Sequence, residues 1–391
     1  MRSASALSIL PRLEDASAEA FGEALAVLGS EAKADLAFVF VSSAHQTKFA
    51  DLPEFVREHI GTVAPWIGCS GGGVLAGGTE IENAPALAVL LLSLPGAAAN
   101  AFHVDATEYP DLDAGPADWL QFIGVKRDLD PAFVLLADPF SSRVETLLQG
   151  LDFAYPGAPK IGGLASGGNL PRSSVLFCNG RVHRSGSVGV ALSGNVLVET
   201  AVAQGCRPLG KPMRVTECRD NVIVKLDGEA AWPRFKVLLE ALAENQTGQP
   251  ALHIGVGMDP FKTAYGAGDF LIRNILGYDP ASGVVAVGER LRNGVTVQLH
   301  LRDRESSVHD LETVLAKRKG PAHQAALLFS CLGRGRHLYG RPNHDSEFFQ
   351  GVFGAVPIAG FFCNGEIGPV DGTTFLHGYT SSFGLIRGRD A

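Results

Sequence analysis

The 391-residue chain lacks the features that mark several large classes of protein. It has no apolar run near the roughly 20 residues that a membrane-spanning helix needs, and the longest candidate, 84–94, ends at Pro95-Gly96. The six cysteines form no CxxC pair, which argues against a structural zinc site or a disulfide framework. The net charge of -8 argues against a general nucleic-acid binder, because such a protein needs a basic surface.

The first residues do not read as a secretory signal. The apolar stretch after Arg2 is too short for the hydrophobic region of a signal peptide, and Glu14 and Asp15 follow it closely. We therefore expect a cytoplasmic protein with no membrane insertion. With 46% hydrophobic and 19% charged residues, the composition is that of an ordinary globular protein of two or three domains.

What the sequence does contain is one pattern that occurs three times. Each copy has an apolar run, a helical segment, a proline, a short strand and a glycine turn. The copies close with the segments Pro65 to Gly73, Pro159 to Gly168 and Pro357 to Glu366. Self-similarity of this kind predicts related strand–helix–strand–glycine-turn units. A connection through a helix predicts a parallel strand pair, and the strand after the first glycine turn is expected to run antiparallel.

These patterns predict an α/β protein of two domains with mixed β-sheets flanked by helices. An N-terminal helical lead-in over 1–32 contains an entry helix over 14–29, for which Ser17 is the expected cap. It precedes a first domain over 33–215, and a second domain occupies 216–391. The boundary is placed between Pro208 and Trp232, where proline and glycine are frequent.

Two local predictions concern the second copy of the pattern. A helix is expected over 142–148, with Ser141 or Asp138 as its cap. The dipeptide Asn179-Gly180 predicts a hairpin turn between strands at 174–178 and 187–191.

The glycine turns do not carry a nucleotide-binding fingerprint. The turn from Gly68 to Gly73 follows a strand, but it lacks the GxGxxG spacing, and no Walker Lys-Ser/Thr pair follows it. The scattered histidines form neither HExxH nor a two-His-one-carboxylate pattern. We therefore expect no metal and no cofactor.

Three nucleophilic side chains stand at the predicted strand ends: Ser70, Ser166 and Cys363. The spacing around Ser70 meets the GxSxG rule, but a nucleophile elbow passes directly into a helix, and Gly77-Gly78 interrupts this one. No histidine can be paired with these side chains from the sequence. A hydrolase using Ser70 or Cys363 is kept as the alternative, while small residues in a tight turn are the simpler interpretation.

Two charged positions suit ligand contacts. Glu366 follows Asn364-Gly365 at a strand end, where it is placed either to receive an amine, amide or cation or to cap the local backbone. Arg334 begins a basic loop whose guanidinium groups suit a carboxylate or phosphate, the other interpretation being a solvated surface loop. Because ligands in open α/β sheets bind at strand ends, the expected pocket gathers, with Arg334, the residues Cys69, Ser70, Ser166, Cys363, Asn364 and Glu366.

Together these motifs resemble the FIST family of F-box and intracellular signal-transduction proteins. The N-terminal FIST domain is indicated by the segments Trp66 to Ser70, Ile161 to Gly168, and Gln204 to Gly210 followed by Val215-Thr216. The C-terminal FIST domain is indicated by the segments Leu327 to Gly335, Pro357 to Pro369 and His377 to Thr380. The resemblance extends over about 33–385, nearly the whole chain.

The resemblance implies a sensory or substrate-recruiting module, more than an enzyme. FIST domains occur fused to histidine kinases, chemotaxis transducers and F-box segments, and have been proposed to bind small ligands such as amino acids. This chain shows no F-box-like start and no output domain, so we expect its signal to pass through a separate protein. An interaction scaffold without a ligand pocket is the third interpretation. Some bacterial relatives bind haem, but no residue here matches an axial ligand, and we expect a colourless protein.

Overall fold

The computed structural model describes residues 1–62, 64–111, 113–243, 251–266, 268–320 and 322–390, with the backbone alone at 241–243. Helices alternate with strands along much of this chain, and the sheets contain both parallel and antiparallel pairs. The predicted class, α/β with mixed sheets, is therefore confirmed. Over these same ranges, no helix has the length and apolar character needed to cross a membrane.

The elements follow one another in four groups along the chain. The first group is β1 (Arg2–Ser8), α1 (Leu13–Leu28), β2 (Leu36–Ser42), α2 (Leu52–Ile60), β3 (Trp66–Gly71), β4 (Gly73–Ala76), β5 (Thr79–Glu82) and β6 (Leu87–Ser93). The second group is β7 (Ala97–Val104), α3 (Pro116–Ile123), β8 (Ala132–Ala137), α4 (Val144–Ala154), β9 (Lys160–Leu164), β10 (Leu176–Cys178), β11 (Arg181–His183), β12 (Ser187–Gly194) and β13 (Leu197–Ala203). The third group is β14 (Arg207–Arg219), β15 (Val222–Leu226), β16 (Glu229–Ala230), α5 (Ala231–Ala243), β17 (Ala251–Gly257), β18 (Phe270–Asp279), β19 (Val284–Val287) and β20 (Thr296–Arg302). The fourth group is α6 (Arg304–Ala316), β21 (Ala325–Cys331), α7 (Gly335–Tyr339), α8 (His344–Phe353), β22 (Ile358–Cys363), β23 (Glu366–Val370), β24 (Thr373–His377) and β25 (Ser381–Arg387).

The chain forms two compact bodies that are interleaved in sequence. The larger body comprises Met1–Val202, Thr313–Leu376 and Thr380–Ala391, and the smaller body comprises Ala203–Glu312 and His377–Tyr379. These bodies divide the chain differently from the predicted boundary at 215/216, which stays a prediction about the two family domains.

The proline- and glycine-rich residues at the start of the predicted boundary region are part of the long strand β14. Met213 and Val215 alternate inward and are buried in a hydrophobic core. Gly210 and Pro212 fall where the pairing with β20 shifts register, between Leu209 and Met213, while Pro208 pairs with His300 near the start of the strand. The strand therefore tolerates Gly210 and Pro212 because they lie at an irregularity.

The predicted helix caps are wrong. Helix α1 begins at Leu13, and the Ser17 hydroxyl donates to the Leu13 carbonyl one turn earlier. Helix α4 begins at Val144 without a side-chain cap, and the Asp138 carboxylate instead accepts the Ser141 hydroxyl in the preceding turn. Serine and aspartate readily bond local backbone and turn groups, so their presence before a helix does not identify the cap.

The predicted turn at Asn179-Gly180 is present, but its second strand is nearer than expected. It joins β10 to the three-residue strand β11, and β12 lies in another sheet. The connection is thus a compact hairpin.

The larger body repeats one strand connection three times. Strands β2 and β3, β8 and β9, and β21 and β22 are parallel pairs joined through helices. A later strand of each group then returns antiparallel beside the first strand of the pair: β6 beside β2, β12 beside β8, and β25 beside β21. The antiparallel direction predicted for the strand after the first glycine turn is confirmed for β6, while superposition of the three units stays a prediction.

Each of the three six-stranded sheets of the larger body accepts a hairpin from a different part of the chain. The orders are β1-β6-β2-β3-β10-β11 in sheet I, β7-β12-β8-β9-β23-β24 in sheet II, and β13-β25-β21-β22-β4-β5 in sheet III. The hairpin after each glycine turn therefore does not extend its own sheet but moves to the next one. This exchange interlocks the three parts.

The inner faces of the three sheets share one apolar core. Phe40 of sheet I lies 5.3 Å from Phe361 and 6.3 Å from Phe329 of sheet III, measured between ring centroids. Sheet II contributes Val134 and Ile161 to the same core. Burial on both faces explains why the parallel strands read as continuous apolar runs.

The smaller body is a ring of antiparallel strands. Its order is β14-β20-β17-β18-β19-β15-β16, and β14 also pairs with β15, so the ladder returns to its start. Ile254, Val256 and Leu299 point to its apolar core together with Phe235 of α5.

Candidate functional site

The two glycine-turn serines meet, as the strand-end prediction requires. The Ser166 amide donates to the Ser70 carbonyl at 3.1 Å, and the Ser70 hydroxyl donates to the Ser166 carbonyl at 3.2 Å. The Ser166 hydroxyl accepts the Gly72 amide at 2.8 Å and donates to the Phe362 carbonyl of sheet III. These hydroxyls therefore tie the turns of all three sheets together.

The turn geometry explains one of the glycines. Gly167 has a φ of +85°, and a Cβ there would lie 2.5 Å from the Cβ of Ser43. Only glycine adopts this conformation without cost and also leaves the neighbouring loop its space. The sequence pattern Ser-Gly-Gly is thus required by the approach of two turns.

The predicted cysteines lie in the interior core. Cys69 and Cys363 are fully buried, and burial raises the pKa of both thiols well above the ordinary value. Cys363 is the register partner of Cys331 on the neighbouring strand, and its sulfur occupies the space above Gly163. A buried thiol of raised pKa carries little thiolate and is a poor nucleophile.

No catalytic pairing supports the hydrolase alternative at these positions. Across the described ranges, no hydrogen bond joins a histidine to Ser70, Ser166 or Cys363; Ser70 bonds Ser166 and Val175, and the Cys363 thiol contacts the Phe361 carbonyl. A serine or cysteine nucleophile needs an adjacent base.

Asn364 follows β22 of sheet III and Glu366 begins β23 of sheet II, and both side chains bond neighbouring backbone. The Asn364 amide side chain donates to the Ala165 carbonyl at 3.3 Å, and the buried Glu366 carboxylate accepts the Thr380 amide at 3.1 Å. Glu366 also pairs with Gly163 across the ladder between β23 and β9. Its contact with a ligand stays a prediction, and its observed role is to fix a neighbouring strand.

Arg334 is not part of a solvated loop. Its side chain is 0% exposed, and its Nε donates to the Asp345 carboxylate at 2.7 Å. Its Nη2 bonds Asp345 at 3.3 Å and the Tyr339 hydroxyl at 2.6 Å. Nη1 is buried and has no hydrogen-bond partner among the residues described. The neighbouring basic residues Arg336, His337 and Arg341 are exposed, which agrees with the interpretation of these residues as a solvated surface.

Asp345 is the hub of this buried cluster. Beyond Arg334, its carboxylate accepts the hydroxyls of Ser330 and Ser381 and bonds Nδ1 of His344 at 2.9 Å. Although burial acts to raise it, the Arg334 charge and the hydrogen bonds hold the pKa of Asp345 well below its usual range. Asp345 is thus a fixed anion that keeps Arg334 in place.

Glu80 completes the cluster and was missed by sequence reasoning. It lies on β5, in the hairpin that the first group donates to sheet III, and its Oε1 accepts the Ser346 amide in the first turn of α8 at 2.9 Å. Its Oε2 is buried without a partner over the part of the chain that is described. Burial, together with the Asp345 charge, raises the pKa of Glu80 to about 7. The Gly77-Gly78 turn was the available signal, because two glycines between short strands indicate a hairpin.

The seven predicted site residues therefore fall into two adjoining groups around sheet III. Ser70, Ser166, Asn364 and Glu366 bond backbone at the strand ends, and Cys69 and Cys363 lie in the core beside them. Arg334 belongs to the Asp345–Glu80 cluster. Within the described residues, no three His, Cys, Asp or Glu side chains are grouped so as to hold a metal ion.

Two surface grooves lie away from these residues. One of about 400 Å³ is lined by Trp66, Asn179 and residues 99–101 of β7, and one of about 510 Å³ by Met1, His323 and Pro357. Trp66 begins β3 and Pro357 precedes β22, so both grooves lie at the amino ends of parallel strands. None of the predicted site residues lines either groove.

Comparison with known proteins finds two matching family models and several relatives. The FIST N domain matches residues 35–229, and the FIST C domain matches residues 235–369. A Mycobacterium tuberculosis protein named as uncharacterized is 37% identical over 99% of this chain and 100% of its own length. A Mycobacterium bovis protein, also named as uncharacterized, is 36% identical over 96% of each chain.

Two more distant matches add little. F-box only protein 22 of Homo sapiens is 34% identical over 27% of this chain and 32% of its own length. Among solved structures, a cyanuric acid hydrolase from A. caulinodans aligns over 100% of both chains with a TM-score of 0.32 and 11% identity. A likeness at that level supports no argument about fold or function.

Proposed function

The chain belongs to the FIST family, and we propose that it is a sensory module that binds a small ligand and signals through a separate protein partner. FIST domains are associated with sensory roles in signal transduction. The relatives that span the whole chain are named as uncharacterized. The proposal of a ligand and of a partner therefore rests on the geometry of the buried cluster.

The observation that carries the proposal is the buried Nη1 of Arg334. Asp345 and Tyr339 hold the guanidinium through its other nitrogens, which fixes where Nη1 stands. A buried donor without an acceptor is costly, and native proteins rarely retain one without a reason. A ligand carboxylate or phosphate would supply the missing acceptor, for which arginine is the best-suited side chain.

A second unpartnered atom of opposite character lies beside Asp345. Oε2 of Glu80 is buried, and in the ionised carboxylate it suits a ligand group that donates a hydrogen bond and carries positive charge, such as an amine. A small metabolite with a carboxylate and an amine, such as an amino acid, would satisfy both atoms. This agrees with the ligand class that the family resemblance implies.

The cluster is connected to an exposed helical surface. Glu80 caps the first turn of α8, and its strand neighbour Glu82 accepts the Arg336 amide at 2.9 Å in α7. A ligand that draws Glu80 away from Ser346 would therefore loosen the start of α8. We propose that the partner reads this change at the exposed basic residues Arg336, His337 and Arg341.

Native mass spectrometry of the full chain, purified from its host, tests the proposal. We expect a retained small molecule that bears a carboxylate or a phosphate, and less of it in Glu80→Gln. Glu54→Gln, which removes an exposed carboxylate, is the matched control and should retain the same amount. A protein without a retained mass, and without a thermal shift from any of a panel of amino acids and organic acids, would support the ligand-free scaffold instead.

A further inference from the structure

A row of polar side chains crosses the smaller body on the face opposite its apolar core. His300 of β20, His253 of β17 and Asn274 of β18 are register partners on three adjacent strands, so their side chains share one face. The neighbours of His253 and His300 in sequence, Ile254 and Leu299, point into the core. The proposed ligand cluster around Arg334 lies in the larger body, so this row is a separate feature.

His253 is the unusual member of the row. It is 6% exposed, and neither of its ring nitrogens has a hydrogen-bond partner in the residues that the structure describes. By contrast, Nδ1 of His300 bonds the Gln298 carbonyl at 3.1 Å. A neutral imidazole offers one donor and one acceptor, and no described residue satisfies either of them at His253, so this position needs an explanation.

Tyr379 covers this histidine in a strained conformation. The two ring centroids are 4.0 Å apart, and the Tyr379 hydroxyl donates to the Asn274 side chain. The φ of Tyr379 is +67°, a region that costs free energy for a bulky side chain and is frequent at binding sites. The surrounding structure thus holds an aromatic ring over His253 against its local preference.

The charges that act on His253 are positive. The Arg302 guanidinium carbon lies 4.9 Å from the centre of the Tyr379 ring, which also contacts His253. Burial, then the charges of Arg302 and His300, lower the pKa of His253 to about 4. The permanent positive charge of Arg302 beside the Tyr379 ring favours an anion over a cation at this position.

We infer that the smaller body carries its own anion site, in which His253, Arg302 and Tyr379 receive a carboxylate or phosphate group. The anion accepts a hydrogen bond from the imidazole of His253, and the guanidinium supplies the compensating charge. This site is independent of the proposed ligand cluster and would stand if that proposal failed.

The test is a titration of the intact chain, labelled with ¹⁵N-histidine, with inorganic phosphate and then with acetate. His253→Gln identifies the His253 ring resonances by their disappearance. We expect those resonances to shift saturably with at least one anion and not with sodium chloride at equal ionic strength. Their failure to shift with either anion would overturn the inference, whatever the variants do.

Charge variants locate the site. Arg302→Gln should lower the affinity for the anion that saturates by about tenfold or more, which is the loss typical of one charge-assisted hydrogen bond. Arg290→Gln, which removes an exposed arginine of the same body, is the matched control and should leave the affinity unchanged. If Arg302→Gln does not fold, Arg302→Lys replaces it, since it keeps the charge but loses the planar fork. Equal affinities in the Arg302 and Arg290 variants would overturn the assignment.

Discussion

Replacing Glu80 by glutamine should make the protein more stable at alkaline pH without changing its stability in mild acid. Glu80 is 3% exposed and lies beside the Asp345 charge, so its pKa rises from 4.5 to about 7. The folded chain therefore holds a proton there that the unfolded chain releases between these two values. The stability linked to this proton is fully present below about pH 4.5 and is lost as the pH rises through about 7.

The size of the effect follows from the interval between the two pKa values. At about 1.4 kcal/mol per pH unit, the passage from 4.5 to about 7 corresponds to about 3 kcal/mol of unfolding free energy. Glutamine has the shape of the protonated carboxyl group and still offers an oxygen to the Ser346 amide. The variant should therefore gain about 3 kcal/mol over the natural chain at pH 8 and nothing near pH 4.5.

Urea unfolding at a series of pH values from about 5 to 8 measures this difference. Glu54→Gln removes an exposed carboxylate and should run parallel to the natural chain throughout. Subtracting the unfolding free energies of the control from those of Glu80→Gln at each pH isolates the contribution of the buried proton, because other titrating groups contribute equally to both variants. If the unfolding free energies of Glu80→Gln and of the natural chain change with pH in parallel, the reasoning is refuted, because Glu80 would then be ionised in both the folded and the unfolded state.

Other predictions concern the strand ends and the interlocked sheets. Gly163→Ala should cost about 1–3 kcal/mol in urea unfolding, because its Cβ would lie 2.4 Å from the Cys363 sulfur, and Cys363→Ala should restore part of the loss. The thiols of Cys69 and Cys363 should react with an aromatic disulfide reagent only after unfolding, and rapid labelling of the native chain would contradict their burial. Fragments 1–215 and 216–391 should be insoluble when expressed singly and associate when coexpressed, because β4 of the first pairs with β22 of the second. Glu366→Gln should lower the melting temperature because its bond from the Thr380 amide loses the carboxylate charge, while a tenfold loss of affinity for the ligand would show that Glu366 also contacts it.

The sequence by itself determined the local elements and the strand ends. Strands such as Leu36–Ser42 and Ala325–Cys331 are recognisable because a strand buried on both faces must be apolar throughout. The parallel pairing followed from the helix between the strands, and the glycine turns followed from residue types that permit close approach. Each of these features depends on residues near one another in the chain, which is why the order of elements was predictable.

The tertiary structure alone decided which hairpin joins which sheet, and with it the composition of the site. Nothing in residues 73–82 indicates that this hairpin pairs with a strand almost 300 residues later, because edge pairing depends on distant backbone groups. That pairing brings Glu80 to Ser346 and Asp345, and so sets its pKa. From the sequence, Arg334 is likewise expected at the surface, because it begins a basic run. In the structure it is buried beside Asp345, since a buried charge persists only where it is paired and hydrogen-bonded.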